Sequence, residues 1–405
     1  MGSPLGSPHL VVVGGGVAGA VLAWHAARAG RRVVVVESRP RFGGCLHSVR
    51  TASGFWLELG AHTCYNSYGA FLEALEGCGL IGRLQPRGKP VLRFLDGDAV
   101  APGANLGLLL RRFDKLELLR AVPRWIGADP AGRTVREHYG RLVGRGNYER
   151  VLGPMLSAVP SQRADEFPAD MLFKKRPRRK DVRRSFTLPD GLQTAVEALL
   201  THERIDLLGG RAATAVTAAG DGFAVALDGG AEIEARAVAL ATPPGAAAAL
   251  LRGVAPAAAD LAARVLEVRV ESVGFALPAG RSPLPYATFL IPLADVFRSV
   301  VTRDVVPDPD WRGFTLHFEP GLTRDEQVAR AAAVLRVPRA DLEPAGAAEH
   351  VLPAPRLGHA EIVRGIDAAL AGRRLAVTGN WFGGLAIEDC ALRSRAEWAR
   401  LAALG

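Results

Sequence analysis

Apolar residues along this chain follow two periods, and the switches between them mark the elements. HLVVVGGG (residues 9–16) is an unbroken apolar run ending in glycines, and RRVVVVES (residues 31–38) is a second. Such runs without alternation read as strands buried on both faces. Between them, VAGAVLAWHAARAG (residues 17–30) has helical spacing and stops at Gly30. Strand, glycine turn, helix and strand in that order predict the start of a doubly wound parallel sheet.

Further along, FLEALEGCGL (residues 71–80) is an amphipathic helix, and KPVLRFLDGDAVAPG (residues 89–103) reads as two short strands around an Asp96-Gly97 turn. Residues 107–185 carry helical periodicity with few strand signals. The parallel-sheet pattern returns at residues 191–227 as a helix, a strand and a hairpin turning at Asp221-Gly222. EIEARAVALATPPGAAAALL (residues 232–251) then gives one strand, a Pro-Pro turn and an Ala-rich helix. RVLEVRVESVGFAL, YATFLIPL and GFTLHFE, within residues 255–345, alternate as an antiparallel sheet does. The last 55 residues revert to helix, strand and closing helix. These segments predict an α/β fold with a discontinuous nucleotide-binding domain (9–84, 186–254 and 350–405). An antiparallel-sheet substrate domain (85–105 and 255–349) and an inserted helical lobe (106–185) interrupt it.

Composition narrows the class only slightly. With 405 residues, 49% apolar and 22% charged, the chain has ample core for more than one domain. MGSPLGSPHL lacks the basic and apolar regions of a signal peptide and reads as a flexible leader. Four cysteines without CxxC spacing give no zinc or disulfide framework and fit a reducing cytoplasm. The net charge of +9 is concentrated in KKRPRRKDVRR (Lys174–Arg184), whose eight basic residues and one acid contribute +7. That stretch is either a solvated face or a contact for an anionic or carrier-bound substrate, an acidic partner or a membrane surface. It has no interleaved aromatics, which argues against nucleic acid.

The chemistry begins at Gly14, Gly16 and Gly19, a G-x-G-x-x-G between strand and helix. Gly14 permits the tight turn, Gly16 admits a pyrophosphate to the backbone, and Gly19 allows close helix–strand packing. The helix start at Val17 and Ala18 offers free N–H groups to phosphate. Glu37, with Ser38 beside it, ends the second strand 18 residues after Gly19, where an acid accepts from ribose hydroxyls and repels a 2′-phosphate. In ESRPRFGGC, Arg41 stands to neutralise the diphosphate, and Gly43 and Gly44 allow a second close backbone approach.

This R-x-G-G segment, followed by FWLELGAH (residues 55–62), resembles the flavoproteins that include amine oxidases, phytoene desaturases and protoporphyrinogen oxidases. Segments at 48–60, 146–173, 188–200, 239–251 and 352–370 follow in the order of protoporphyrinogen oxidase-like proteins, and GNWFGGLAIEDC (379–390) matches their C-terminal turn. The resemblance covers most of residues 9–400 and implies bound FAD in a Rossmann-like domain of the GR2 type. It places Gly60 and Ala61 in a flavin-facing turn, the Val216 backbone on adenine, and Thr242, Gly379, Asn380, Leu385, Ala386 and Ile387 around the pyrophosphate and flavin. The chain departs from that pattern at Ala391-Leu392-Arg393-Ser394, where the family has a small Ser-Gly step, and Arg93 lies out of register for a propionate contact.

His62, Tyr286 and His317 are the candidate catalytic side chains, the last two on predicted strands of the substrate sheet. Cys45 is a packed thiol or a covalent flavin anchor, Trp381 and Phe382 are pocket wall or core, and His359 is structural. The resemblance implies hydride transfer from a C–H or C–N centre of a small-molecule substrate to flavin N5, with reoxidation by dioxygen. Amine oxidation, desaturation, or a redox-neutral reaction like that of UDP-galactopyranose mutase remain open within it. A flavin-binding partner protein without turnover is the alternative of another class.

Overall fold

The computed structural model describes residues 8–101 and 111–405. Most of the expected leader and the expected boundary between substrate sheet and helical lobe, at 105/106, lie outside the described residues. The two valine runs and three later segments form a five-stranded sheet. Its strands are β1 (Leu10–Val13), β2 (Val33–Glu37), β3 (Ile205–Gly209), β4 (Ala237–Leu240) and β5 (Leu375–Val377), in the spatial order β3-β2-β1-β4-β5. All are parallel, in registers such as Leu10↔Val33 and Leu10↔Ala237. The valine runs are continuous because helices and a second sheet cover both faces.

One face carries α1 (Val17–Arg28), α2 (Gly69–Gly77), α3 (Gln193–Leu200) and α4 (Ile387–Ala402). Helix α1 is buried nearly all round, because α2, α3 and α4 all pack against it in addition to the sheet. Its alanines at 20, 23, 26 and 27 let the two backbones approach. The other face carries the antiparallel strands Ala213–Ala219, Gly222–Leu227 and Glu232–Ala235, with helices Pro244–Leu251, Pro256–Ala262 and His359–Leu370.

The substrate sheet has seven strands. In spatial order they are Glu343–Pro353, Glu267–Pro278, Trp311–Phe318, Phe297–Thr302, Phe289–Pro292, Leu92–Asp96 and Ala99–Val100. Only the pair Phe289–Pro292 and Leu92–Asp96 is parallel. The described part of 111–185 is mostly short helices, but Lys174–Arg184 contains none. No helix among the described residues is long and apolar enough to cross a membrane.

Three local expectations need correction. Asp96 pairs with Ala99 and Ala219 with Gly222, so the hairpins turn at Gly97-Asp98 and Gly220-Asp221, one residue away from the expected pairs. In both, glycine takes the first central position, where φ is positive (+57° and +52°). The single strand expected in EIEARAVAL is two, because the chain leaves the antiparallel sheet at Arg236 to enter the parallel one.

Three polar contacts lock α4 to the rest. Buried Glu388 accepts from the N–H groups of Ala70 (2.9 Å) and Phe71 (3.0 Å), capping α2, whose own N-cap residue Tyr68 supplies no side-chain bond. Asp389 accepts from its own helix at Ala386 N–H (3.2 Å) and pairs with Arg176 (2.7 Å) and Lys174 (3.4 Å). Ser394 Oγ donates to Ala18 O (2.8 Å) in the first turn of α1 and bonds Thr378 Oγ1 (2.8 Å). Three of the eight basic residues are therefore internal strapping, since Arg179 also pairs with Glu76 and Asp181. Lys175, Arg178, Lys180, Arg183 and Arg184 remain exposed.

Another buried carboxylate, Glu58, joins the strand Trp56–Glu58 to α3. It accepts from Leu192 N–H and Ser48 Oγ, both at 2.7 Å. Burial pushes its pKa up to about 7 in spite of those two bonds. Two outcomes follow. Glu388→Ala strands two buried N–H groups and lowers unfolding free energy by about 2–4 kcal/mol in urea titration, with Glu388→Gln losing less. For Glu58 the folded-state pKa lies above the unfolded one, so its stabilising contribution is complete below pH ~4.5 and is lost as pH rises through about 7. Glu58→Gln should match the wild-type melting temperature at pH 5 and exceed it at pH 8.

Candidate active site

The glycine turns form one hydrogen-bonded ladder along the C-terminal edge of the parallel sheet. Gly14 N–H donates to Val36 O (2.8 Å), Gly43 N–H to Gly15 O (2.8 Å), and Ala61 N–H to Cys45 O (2.8 Å). Gly16 and Gly43 pair as a parallel bridge. Gly14, Gly16, Gly43, Gly44, Gly60 and Ala61 are thus neighbours, although they come from three separate turns. Their reasons for being small differ. A Cβ on Gly19 would stand 1.9 Å from Gly14 O, so that glycine serves helix–strand packing. A Cβ on Gly16 would meet nothing nearer than Gly44 Cα at 3.6 Å, and φ there is an ordinary −79°. Only a ligand lying on that backbone needs the space, and this fits an FAD diphosphate against the α1 N-terminus, where Val17 and Ala18 begin the helix.

Glu37 binds the edge of this groove. Its carboxylate accepts from Gly15 N–H (2.8 Å), Arg39 N–H (3.0 Å) and Ser38 Oγ (3.2 Å). Arg41 is placed differently from expectation. Its guanidinium donates to Gly44 O (2.8 Å), Leu46 O (3.0 Å) and Gln193 Oε1 (3.1 Å), so it shapes the second glycine turn. Val216 lies mid-strand with its side chain buried and its carbonyl beside Gly253. The segment reaching Glu37 is instead Gly210-Arg211, whose N–H groups donate to Arg39 O (2.9 Å) and Glu37 O (3.0 Å).

The C-terminal turn closes the groove. Trp381 Nε1 donates to Thr242 O (3.0 Å), and His359 Nε2 bonds Trp381 O (2.5 Å). This joins the Gly379 turn to the end of β4. Trp381 and Phe382 are buried in the core on the antiparallel side of the sheet and do not wall a pocket. Asn380, Leu385 and Ala386 stay half-buried at the start of α4, while Ile387 turns its side chain into the core. The Thr242 hydroxyl is buried without a protein partner.

Beyond Ala61, His62 lines a largely apolar cavity into which Glu58, Arg87, Arg303 and Thr187 bring polar groups beside Trp56. Its Nδ1 lies 3.3 Å from Gly60 O, and its ring meets Phe289 edge-on at 5.3 Å. Burial and the nearby Arg87 lower its pKa to about 4. His317 is placed elsewhere. It is only 4% exposed, bonded through Nδ1 to Ser272 Oγ (2.8 Å), and burial lowers its pKa to about 3. Its expected catalytic role fails on access, since it is part of the sheet core. Tyr286 precedes the strand beginning at Phe289 and is 40% exposed, with its hydroxyl donating to Lys89 O (3.1 Å). Cys45 is half-buried, and burial raises its thiol pKa.

Arg87 and Arg303 were not expected from sequence. Arg87 sits in QPRGKP, which reads as a surface turn, and Arg303 follows a strand end with no motif around it. The described residues contain no cluster able to hold a metal ion.

Comparison with known proteins bears on this site. A tRNA (uracil-5-)-methyltransferase that uses methylenetetrahydrofolate, from Rubrobacter xylanophilus, is 32% identical over 167 residues, 41% of this chain and 34% of that protein. The chain therefore matches only about a third of that relative's length. A solved structure from Exiguobacterium sp. 255-15, described as a protoporphyrinogen oxidase, superposes with a TM-score of 0.77 at 18% identity, covering 98% of both chains. Reduced UDP-galactopyranose mutase superposes with a TM-score of 0.75 at 14% identity, covering 98% of this chain and 96% of the other. These two show a shared fold. A family model for flavin-containing amine oxidoreductases matches residues 17–269, well over half of the 405. The chain belongs to that family and is an FAD-dependent oxidoreductase.

Proposed function

We propose that this enzyme oxidises a small-molecule substrate at a C–H or C–N centre in the His62 cavity, with dioxygen as final electron acceptor. The observation that carries this reading is the continuity at Gly60–His62. The glycine-lined groove ends at Ala61, and the next residue lines the cavity, so cofactor and substrate meet there. FAD, when bound, supplies the two-electron, hydride-accepting chemistry that no side chain can.

The protein's own part is orientation, proton handling and exclusion of water. A carbonyl only accepts, so the His62 contact with Gly60 O requires Nδ1 to carry the proton. Nε2 is then an unprotonated acceptor with no protein partner among the described residues. The lowered pKa keeps the ring neutral at physiological pH, so it can hold the N–H or O–H beside the carbon that loses hydride. The edge-on contact with Phe289 fixes the ring plane. Trp56, Val305 and Val306 give the cavity an apolar floor that limits water.

Anaerobic stopped flow on the yellow holoprotein tests the reading directly. Bleaching by an amine, porphyrinogen or polyene, followed by oxygen-dependent recovery, supports it. Product without oxygen consumption indicates a redox-neutral reaction of the mutase kind, and no bleaching by any class indicates a flavin-binding partner protein. His62→Gln should slow bleaching by about 100-fold or more with flavin content unchanged. The wild-type rate should be insensitive to this imidazole above pH 5 and fall as it protonates near pH 4. Glu37→Ala removes a carboxylate that holds Gly15 and stands at the ribose position. It should weaken FAD binding about tenfold or more in equilibrium dialysis; unaltered retention would remove Glu37 from the site.

A further inference from the structure

We propose that the His62 cavity contains an anion-binding subsite, in which the guanidinium groups of Arg87 and Arg303 hold a carboxylate of the substrate. The word substrate rests on the oxidoreductase reading above; the subsite itself rests on how these two side chains are held.

Arg303 lies between two aromatic rings, its guanidinium carbon 4.4 Å from the Phe55 centroid and 4.3 Å from that of Trp56. This stacking fixes the plane of the fork without using any of its N–H donors. The side chain is 12% exposed, and both Nε and Nη1 are buried with no hydrogen-bond partner among the described residues. The nearest carboxylate, Asp308, forms an ion pair with Nη1 through Oδ2 at 3.7 Å, longer than a hydrogen bond, and leaves Nε and Nη2 to other partners. Its other oxygen accepts from Asp310 N–H (3.1 Å) and Trp311 N–H (3.0 Å). Arg87 is anchored by its backbone N–H to Ser185 O (3.3 Å) and by one guanidinium nitrogen to the Thr63 hydroxyl. No carboxylate pairs with it among the described residues.

The fold treats comparable arginines differently. Arg312 grips Asp304 with two nitrogens (3.0 and 2.5 Å), and Arg330 does the same to Asp295 (3.1 and 2.6 Å). Both sit on the substrate sheet or the helix packed on it, so acids are available in this domain to pair with buried arginines. Leaving the donors of Arg303 unpaired in a cavity is costly unless something else occupies them. The one acid lining the cavity, Glu58, turns both oxygens toward Leu192 N–H and the Ser48 hydroxyl. Two cations from segments 216 residues apart thus face one cavity with donors that neither Glu58 nor Asp308 takes up by a hydrogen bond, a geometry that suits a planar, bidentate oxyanion.

Benzoate and benzamide, alike in shape and different in charge, test this on the holoenzyme by calorimetry and by perturbation of the flavin absorption band. Benzoate should bind saturably and benzamide at least tenfold more weakly. Arg303→Lys, which keeps the charge and the stacking but loses the fork, and Arg87→Gln should each raise the benzoate Kd about tenfold, with flavin content and benzamide binding unchanged. Equal binding of the two probes, no benzoate binding by either method, or unaltered benzoate affinity in both variants would overturn the subsite. Benzoate binding without flavin bleaching by any substrate would leave the subsite standing and remove the oxidase reading. Bleaching by substrates that all lack an acid group, with benzoate inert, would do the reverse.

Discussion

The cofactor groove depends on the contact between the first turn of α1 and helix α4, which lie almost 370 residues apart in sequence. Ser394 Oγ bonds Ala18 O directly beneath the phosphate turn, and buried alanines let the two helices pack face to face. That contact, together with the Trp381–Thr242 bond and the pairing of β5 with β4, fixes the turn from Gly379 to Ala386 relative to Gly14–Gly19. Glu388 extends the same lock to α2 and Asp389 extends it to the strap at Lys174 and Arg176. Each of these bonds is modest in water, but they are buried or half-buried and share one helix turn, so disrupting one loosens its neighbours.

That arrangement explains why the acidic pair in GNWFGGLAIEDC is not chemistry in its own right. Glu388 satisfies N–H groups that α2 cannot satisfy itself, because Tyr68 offers no acceptor at the N-cap. Asp389 converts basic charge that sequence alone assigns to solvent or a partner into internal strapping. The ALRS continuation, which departs from the family pattern, retains a serine at the position that touches α1. The departure therefore leaves the groove intact.

What the sequence makes legible follows from how local each signal is. Buried parallel strands announce themselves as uninterrupted valine runs, and the glycine spacing of the phosphate turn has one steric reason per glycine, so both sheet and groove were readable. Turn positions slipped by one residue because Asp-Gly and Gly-Asp are equally good turn pairs until strand register decides between them. Histidines were harder. His62 follows a glycine turn and His317 stands mid-strand, and only the depth of the sheet separates an imidazole that lines the cavity from one buried against Ser272. Arg41 shows the same limit, since nothing local says whether its donors meet phosphate or the carbonyls of its own turn.

Positive charge illustrates the point most sharply. The eight basic residues at Lys174–Arg184 dominate the sequence, yet three of them are spent on Asp389, Glu76 and Asp181. Arg87 and Arg303 are inconspicuous in sequence, and Arg303 holds two buried donors with no hydrogen-bond partner among the described residues. Charge density along a chain reports where solvent is tolerated; unsatisfied donors within a fold report where a ligand is needed. The second criterion requires long-range geometry, because stacking between Phe55 and Trp56 fixes the plane of Arg303 and leaves Asp308 at ion-pair distance only.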